Sequence, residues 1–329
     1  MKLFKRFWIF LLVFVLCMGL AGCHNLKEAS NKKYRLNIVT SLFPYYDMVR
    51  AIVGNEDTIH VSMTVAPGQD SHSFEPAPAD VINIQEADVF IYNGGSLETW
   101  VDTLLDSLNN DSQSRFRMMD YVDLLEEEHM EGMDTRSEAF HEDGNTGGDE
   151  EHGHEADEHI WTSPVNMQIM TRKICDELCK VSPEDSGIFQ KNAENYIQQL
   201  KELDSELHQI TEKAEKKEII FADKFPILYF AKEYGLKYYA AFPGCGSDME
   251  PSAKTIAFLI DKIKEDRIKA VFYLELSSHT VANTISEDTG AKTLQFNSCH
   301  NITQKQFDNG VTYVDLMKEN VNNLRKALN

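Results

Sequence analysis

Positive charge is scarce in this 329-residue chain: 32 lysines and arginines face 53 aspartates and glutamates, for a formal net charge of −21. A surface that acidic repels phosphate backbones, which argues against nucleic acid as a partner and favours a cationic ligand. Long apolar runs are also missing. Residues 7–20 form a run of 14, short of the roughly 20 a spanning helix needs, so a multi-span membrane protein does not fit. Catalytic signatures are absent as well: there is no G-x-S-x-G elbow, P-loop or G-x-G-x-x-G. His154-Glu155 and His159 miss the H-E-x-x-H zinc-hydrolase pattern, because the two histidines stand five apart, off the shared helical face of i, i+4 spacing. No enzymatic activity is expected.

What remains is a chain with 42% hydrophobic and 10% aromatic residues, enough for two globular domains. Lys2, Lys5 and Arg6 precede the 7–20 run, and Leu20-Ala21-Gly22-Cys23 follows it. This reads as a signal peptide over residues 1–22. The tetrad resembles a bacterial lipobox, which implies that Cys23 is lipidated and that the protein is extracytoplasmic and anchored in the cell membrane. Residues 23–35 are a polar tether. Outside the cytoplasm disulfides can form. Cys175 and Cys179, four apart on an expected helix, are badly placed for one, whereas Cys245 and Cys299 both follow expected strands and are the candidate pair. Connectivity stays open at this point.

From residue 36 short apolar runs alternate with amphipathic stretches: strands at 36–41, 58–65 and 88–92, helices at 45–53, 78–87 and 100–108. The pattern restarts with strands at 219–222, 238–242, 270–274 and 293–296, separated by further amphipathic segments. Such alternation makes two α/β lobes with parallel sheets covered on both faces, and a cleft between lobes is where ligands bind. Between them Phe189, Ala193, Tyr196, Leu200, Leu203, Leu207, Ile210 and Ala214 step by alternating fours and threes, a helical stripe. The spacing predicts one long helix within 184–217, a strut joining the lobes. The expected domains are an N-terminal lobe at 36–163, a helical region at 164–217 and a C-terminal lobe at 218–329.

One segment breaks the alternation. Residues 126–158 hold fourteen acids, one base and four histidines, His129, His141, His152 and His154. With Gly144, Gly147, Gly148 and Gly153 and few apolar residues it reads as a mobile loop, and its histidines point to loose capture of divalent metal. Three further histidines sit in loops beside ordered elements: His72 in a turn-rich loop, His159 where the chain re-enters the fold at Ile160-Trp161, and His300 just past the last strand. Loops of α/β lobes present ligand groups in this way.

Taken in order, the lipobox, Pro67-Gly68…Asp70…His72…Glu75-Pro76-Ala77-Pro78…Asp80, the acidic histidine-rich loop, His159-Ile160-Trp161…Pro164…Asn166, the long helix, Tyr229-Phe230…Tyr234-Gly235-Leu236 and Thr289-Gly290-Ala291-Lys292 resemble the zinc/manganese solute-binding lipoproteins of bacterial ABC importers. The resemblance runs over essentially the whole chain after residue 22. It implies two Rossmann-like lobes joined by a long rigid helix, one divalent ion in the interdomain cleft, and delivery of that ion to an ABC permease and its ATPase. By motif match His72 and His159 are the first two ligands. The third normally follows the first strand of the second lobe, where this sequence offers Asp223, one residue out of register with the usual motif. An acidic fourth comes from the region of Glu275 and His279. His300 also follows a strand and joins the candidates, as does a Cys299 thiolate if unpaired. A helix cap competes with the ligand role for Asp223, and an ion pair competes for Glu275. The imidazoles favour Zn2+; Mn2+, which prefers oxygen ligands, is the alternative cargo, and a surface metal-binding adhesin the alternative role.

Overall fold

The computed structural model describes residues 34–108, 110, 112–134, 156–244 and 250–329. The lipobox with Cys23, three of the loop histidines (His141, His152 and His154) and Cys245 lie outside them. Among the described residues no helix is long and apolar enough to cross a membrane.

Two four-stranded sheets, parallel throughout, make up the fold. The first has the order β2-β1-β3-β4, from β1 (Leu36–Thr40), β2 (Ile59–Met63), β3 (Val89–Tyr92) and β4 (Ser114–Arg117). The second has the order β6-β5-β7-β8, from β5 (Glu218–Phe221), β6 (Lys237–Ala240), β7 (Ala270–Leu274) and β8 (Lys292–Phe296). Parallel strands need crossovers, here supplied by α1 (Phe43–Val53), α2 (Pro78–Glu86) and α3 (Thr99–Ser107) in the first lobe. In the second lobe α6 (Leu228–Glu233), α7 (Ala253–Asp266) and α8 (Thr280–Thr289) play that part, followed by α9 (Gln304–Asp308) and α10 (Tyr313–Leu328). β4 was not expected from the sequence: Ser114-Arg115-Phe116-Arg117 holds one apolar residue, and only Phe116 is buried.

Between the sheets lie α4 (Pro164–Val181) and the 28-residue α5 (Ser186–Lys213). Ser163 caps α4 by accepting from the N–H groups of Val165 and Asn166, with Pro164 at the first helical position. The predicted stripe is the buried face of α5: Phe189, Ala193, Tyr196, Leu200, Leu203, Leu207 and Ile210 are all at most 5% exposed. At about 1.5–3 kcal/mol per fully buried large apolar side chain, this face alone makes α5 a permanent part of the core. The helix is shorter than 184–217, because residues 183–185 form a 3-10 turn and Ala214 is already extended.

Strand alternation divides the apolar residues. Ile38, Val89 and Ile91 from the first sheet and Ile219, Phe221 and Phe272 from the second share one central core with α4, α5 and α10. Val39, Phe90 and Tyr92 face a separate outer core, and Ile220, Val271 and Tyr273 another. A buried polar node ties α1, α5 and α10 together. Asp47 Oδ2 accepts from Tyr196 Oη at 2.8 Å and from the Tyr313 N–H at 2.9 Å, while its Oδ1 receives Arg50 at 2.7 Å. The same guanidinium donates to the carbonyls of Gly310 and Val311.

The ends of the 126–158 segment are not the mobile loop expected. Glu126 bridges Ala156, Asp134 N–H donates to Ala241 O at 2.8 Å, and Asp134, Asp157 and Glu158 are buried. These acids are hydrogen-bonded to the fold and so leave solvent.

Candidate metal centre

The cleft is a cavity of about 430 Å3 lined by loops from both lobes, including Asp70, His72, His159, Asp223, Lys224, Glu275, Ser298 and His300. His72 follows β2, Asp223 follows β5, Glu275 follows β7 and His300 follows β8, so the carboxyl ends of parallel strands aim their loops at one place. Two contacts close the wall between lobes. Gly68, at φ 82, donates its N–H to Ile302 O at 2.7 Å, a conformation a side chain would strain. Asn301 Nδ2 donates to Ala66 O and Gln69 O at 2.9 and 2.6 Å.

The three histidines are held by one local device used three times. His72 N–H donates to Asp70 Oδ1 at 2.7 Å, His159 N–H to Asp157 Oδ1 at 2.9 Å and His300 N–H to Ser298 Oγ at 3.5 Å. In two of them the same side chain also meets the ring. Asp157 Oδ1 is 3.2 Å from His159 Nδ1, and Ser298 Oγ is 2.7 Å from His300 Nδ1. Ser298 in turn donates its hydroxyl to Glu275 Oε1 at 2.7 Å and its N–H to Glu275 Oε2 at 2.9 Å. A ring whose Nδ1–H is taken by a carboxylate or hydroxyl keeps its lone pair on Nε2. Both Nε2 atoms, of His159 and His300, are buried and have no hydrogen-bond partner among the described residues. Such orphans are costly unless something fills them, and a divalent cation fits that need. The His72 ring lies 5.7 Å from that of His159, centre to centre.

Electrostatics favour a cation too. Burial pushes the His300 imidazole down to about 4, with Asp70 opposing and His159 and Lys224 assisting. The cleft walls lower His72 in the same direction, helped by His159 and opposed by Asp70. Both are therefore neutral donors at pH 7. His159 is different: burial depresses it, but Asp157, Glu158 and Glu127 together raise it above the ordinary value. Burial alone would raise Asp70, yet His72, His300 and Lys224 hold it low and ionised.

The other candidates are engaged elsewhere. Asp223 Oδ1 accepts the Lys224 N–H at 2.8 Å, and Oδ2 accepts the Leu274 N–H at 3.1 Å and the Ser277 hydroxyl. Glu275 spends both oxygens on Ser298. His279 stands at the N-cap position of α8 without a capping hydrogen bond from its side chain and packs on Tyr273, 4.1 Å between ring centres. Cys299 is a free, fully buried thiol at φ 62, its Sγ 3.5 Å from Asn297 O; its candidate partner Cys245 lies outside the described residues. His129 lies exposed on the described flank of the acidic segment. Sequence reading missed Asp70, Asp157 and Lys224 as parts of the site; the repeated acid-or-serine two residues before each histidine was the available signal.

An α/β fold of two parallel-sheet lobes around a histidine-lined cleft defines a solute-binding class. The family described as zinc-uptake complex component A, periplasmic, matches residues 38–327, and the chain belongs to it. It is 34% identical over 340 residues to the high-affinity zinc uptake system protein ZnuA of Bacillus subtilis, covering 99% of each chain. The B. subtilis metal-dependent lipoprotein YcdH has a similar crystal structure, with TM-score 0.73 and 31% identity over 89% of this chain and 99% of that one. The Zn(II)-bound ZnuA-like domain of Streptococcus pneumoniae AdcA gives TM-score 0.71 and 29% identity, over 89% and 98%.

Proposed function

We propose that this protein is an extracytoplasmic zinc receptor that captures Zn2+ between its lobes and delivers it to an ABC permease powered by its ATPase. Its work is binding rather than turnover. His72, His159 and His300 donate imidazole nitrogens and Asp70 is the carboxylate beside them; Asp223 and Glu275 act as supports of the loops rather than as donors. The observation that carries this is the pair of buried, unpartnered Nε2 atoms on His159 and His300, each behind a ring already fixed at Nδ1. Three imidazoles and one oxygen suit zinc. Manganese would ask for more oxygen, and the oxygens of Asp223 and Glu275 are already engaged by loop donors.

The cleft donors are set wider than one ion spans. Among the described residues the only three donors whose ligand atoms all fall within 4.8 Å lie elsewhere. Zinc entry therefore draws the cleft loops together, and the permease recognises the drawn-in form. Residues 1–22 direct export, lipidated Cys23 anchors the protein through the 23–35 tether, and His129, His141, His152 and His154 of the acidic segment collect metal loosely. The domains run 36–163, 164–217 and 218–329.

The test is isothermal titration of the metal-stripped protein with Zn2+ and Mn2+, repeated on H72A and H300A. One tight zinc site weakened at least 100-fold in both variants supports the reading. A tight site preferring Mn2+, or untouched by both substitutions, overturns it.

A further inference from the structure

The long helix carries a second group of metal-binding side chains that shares no residue with the cleft. Asp204 and His208 stand four apart on α5, one turn above each other on the same face. Glu233, the last residue of α6, meets them from the second lobe. His208 Nε2 is 3.5 Å from Asp204 Oδ1, and one ligand atom from each of Asp204, His208 and Glu233 lies within 4.8 Å of the other two. Among the described residues no other three histidine, cysteine or acidic side chains come that close.

Tyr234 builds the back of the group. Buried at 3% exposure, it donates its hydroxyl to Asp204 Oδ1 at 2.9 Å and sets its ring edge-on to His208, 5.0 Å between centres. Phe230 holds the tyrosine from behind at 4.8 Å. Two of the three donors are thus oriented before any ligand arrives, which lowers the entropy lost on binding. The two carboxylates also strain against each other. Burial first, and then the Asp204 charge, raise Glu233, with His208 opposing.

We propose that Asp204, His208 and Glu233 form a second Zn2+ site, completed by water, that staples α6 of the C-terminal lobe to the long helix. Zinc holds nitrogen and oxygen donors at about 2.0–2.1 Å, which places neighbouring donors about 3.4 Å apart in a tetrahedron. Rotation of the His208 and Glu233 side chains closes the remaining gap without moving either helix. The mixed His, Asp and Glu set suits Zn2+ rather than Ca2+ or Mg2+, which take oxygen ligands. Solvent access makes this site weaker than the cleft. It is also independent of it, since both helices it joins are already packed in the core.

The experiment counts bound zinc on the full chain by equilibrium dialysis at saturating free Zn2+, for the unaltered protein, H208Q, E233Q and the double variant. It also locates the ions by anomalous diffraction at the zinc edge. Each single substitution should remove one and the same ion, so that the double variant loses no more than either single one. H72A should keep that ion while its cleft site is weakened at least 100-fold. An anomalous peak between the three side chains, absent in H208Q, completes the case. An unchanged count in H208Q and E233Q, or a lost ion whose peak lies elsewhere, overturns it and leaves the group an ion-pair cluster.

Discussion

Asp157 Oδ1 accepts the backbone N–H of His159 at 2.9 Å and faces the Nδ1 of the same residue at 3.2 Å. One buried carboxylate thereby sets both the turn that presents the histidine and the tautomer that binds metal. Gly244 lets this pair sit close to the second lobe: a Cβ there would stand 3.3 Å from both Asp157 Oδ2 and His159 Cε1.

The first prediction follows from that pair. D157A keeps all three imidazoles but frees the His159 ring, and loss of such a supporting contact typically costs about 10–100-fold in metal affinity. Chelator competition should show that loss, with far-UV circular dichroism unchanged. An affinity within twofold of the unaltered protein would assign Asp157 to the fold alone.

Glu275 and Asp223 separate supports by what they support. E275Q breaks the relay through Ser298 to His300 and should weaken zinc about tenfold. Among the described residues D223N touches the N–H groups of Lys224 and Leu274 and the Ser277 hydroxyl. It should lower the thermal midpoint while changing zinc affinity less than E275Q does. The reverse order in a zinc titration would make Asp223 the ligand.

Lys224 is the cation inside a cation site, and its charge depresses both His72 and His300. K224Q should tighten zinc binding several-fold, and the gain should shrink as salt rises and screens the field. Weaker binding in K224Q would show that the lysine organises the loop instead.

Asp47 joins α1 to α5 and α10 without touching the cleft. D47A leaves the Arg50 charge and the Tyr196 and Tyr313 donors without their acceptor, a loss worth about 3–5 kcal/mol. Urea unfolding should report a drop of that order, with zinc stoichiometry preserved.

Glu98 gives the stability a pH dependence. Fully buried, it is raised to about 7, mainly by burial, with the N–H groups of Asn93 and Gly94 opposing. The folded state thus keeps a proton that the unfolded chain gives up near its ordinary carboxylate pKa. The contribution of this group to stability is present below that ordinary value and is lost as pH rises towards about 7. Unfolding of E98Q should lack this segment of the pH profile between pH 4.5 and 7.

Residue patterns revealed most of the architecture because burial and periodicity are the same fact seen twice: the α5 stripe has to be apolar every three or four residues to sit between two sheets. β4 stayed hidden since an edge strand with one buried side chain carries no such pattern. His72, His159 and His300 were visible as histidines in loops beside ordered elements. What the acids would do was not. Asp223 and Asp70 are both strand-following aspartates, and only the hydrogen bonds made after folding show that the first has both oxygens engaged by loop donors while the second, with one oxygen on the His72 N–H, stands beside the imidazoles. The acidic segment misled at its ends for the same reason, because Asp157 and Glu158 read as solvated charge until their partners at His159, Ser96 and Leu97 are in place.

Zinc-edge X-ray absorption of the protein loaded with one equivalent of Zn2+ addresses the ligand set most directly. Three imidazole nitrogens and one oxygen at about 2.0–2.1 Å are expected, falling to two imidazoles in H300A. A sulfur shell near 2.3 Å, or an imidazole count that H300A leaves unchanged, would contradict the site described above.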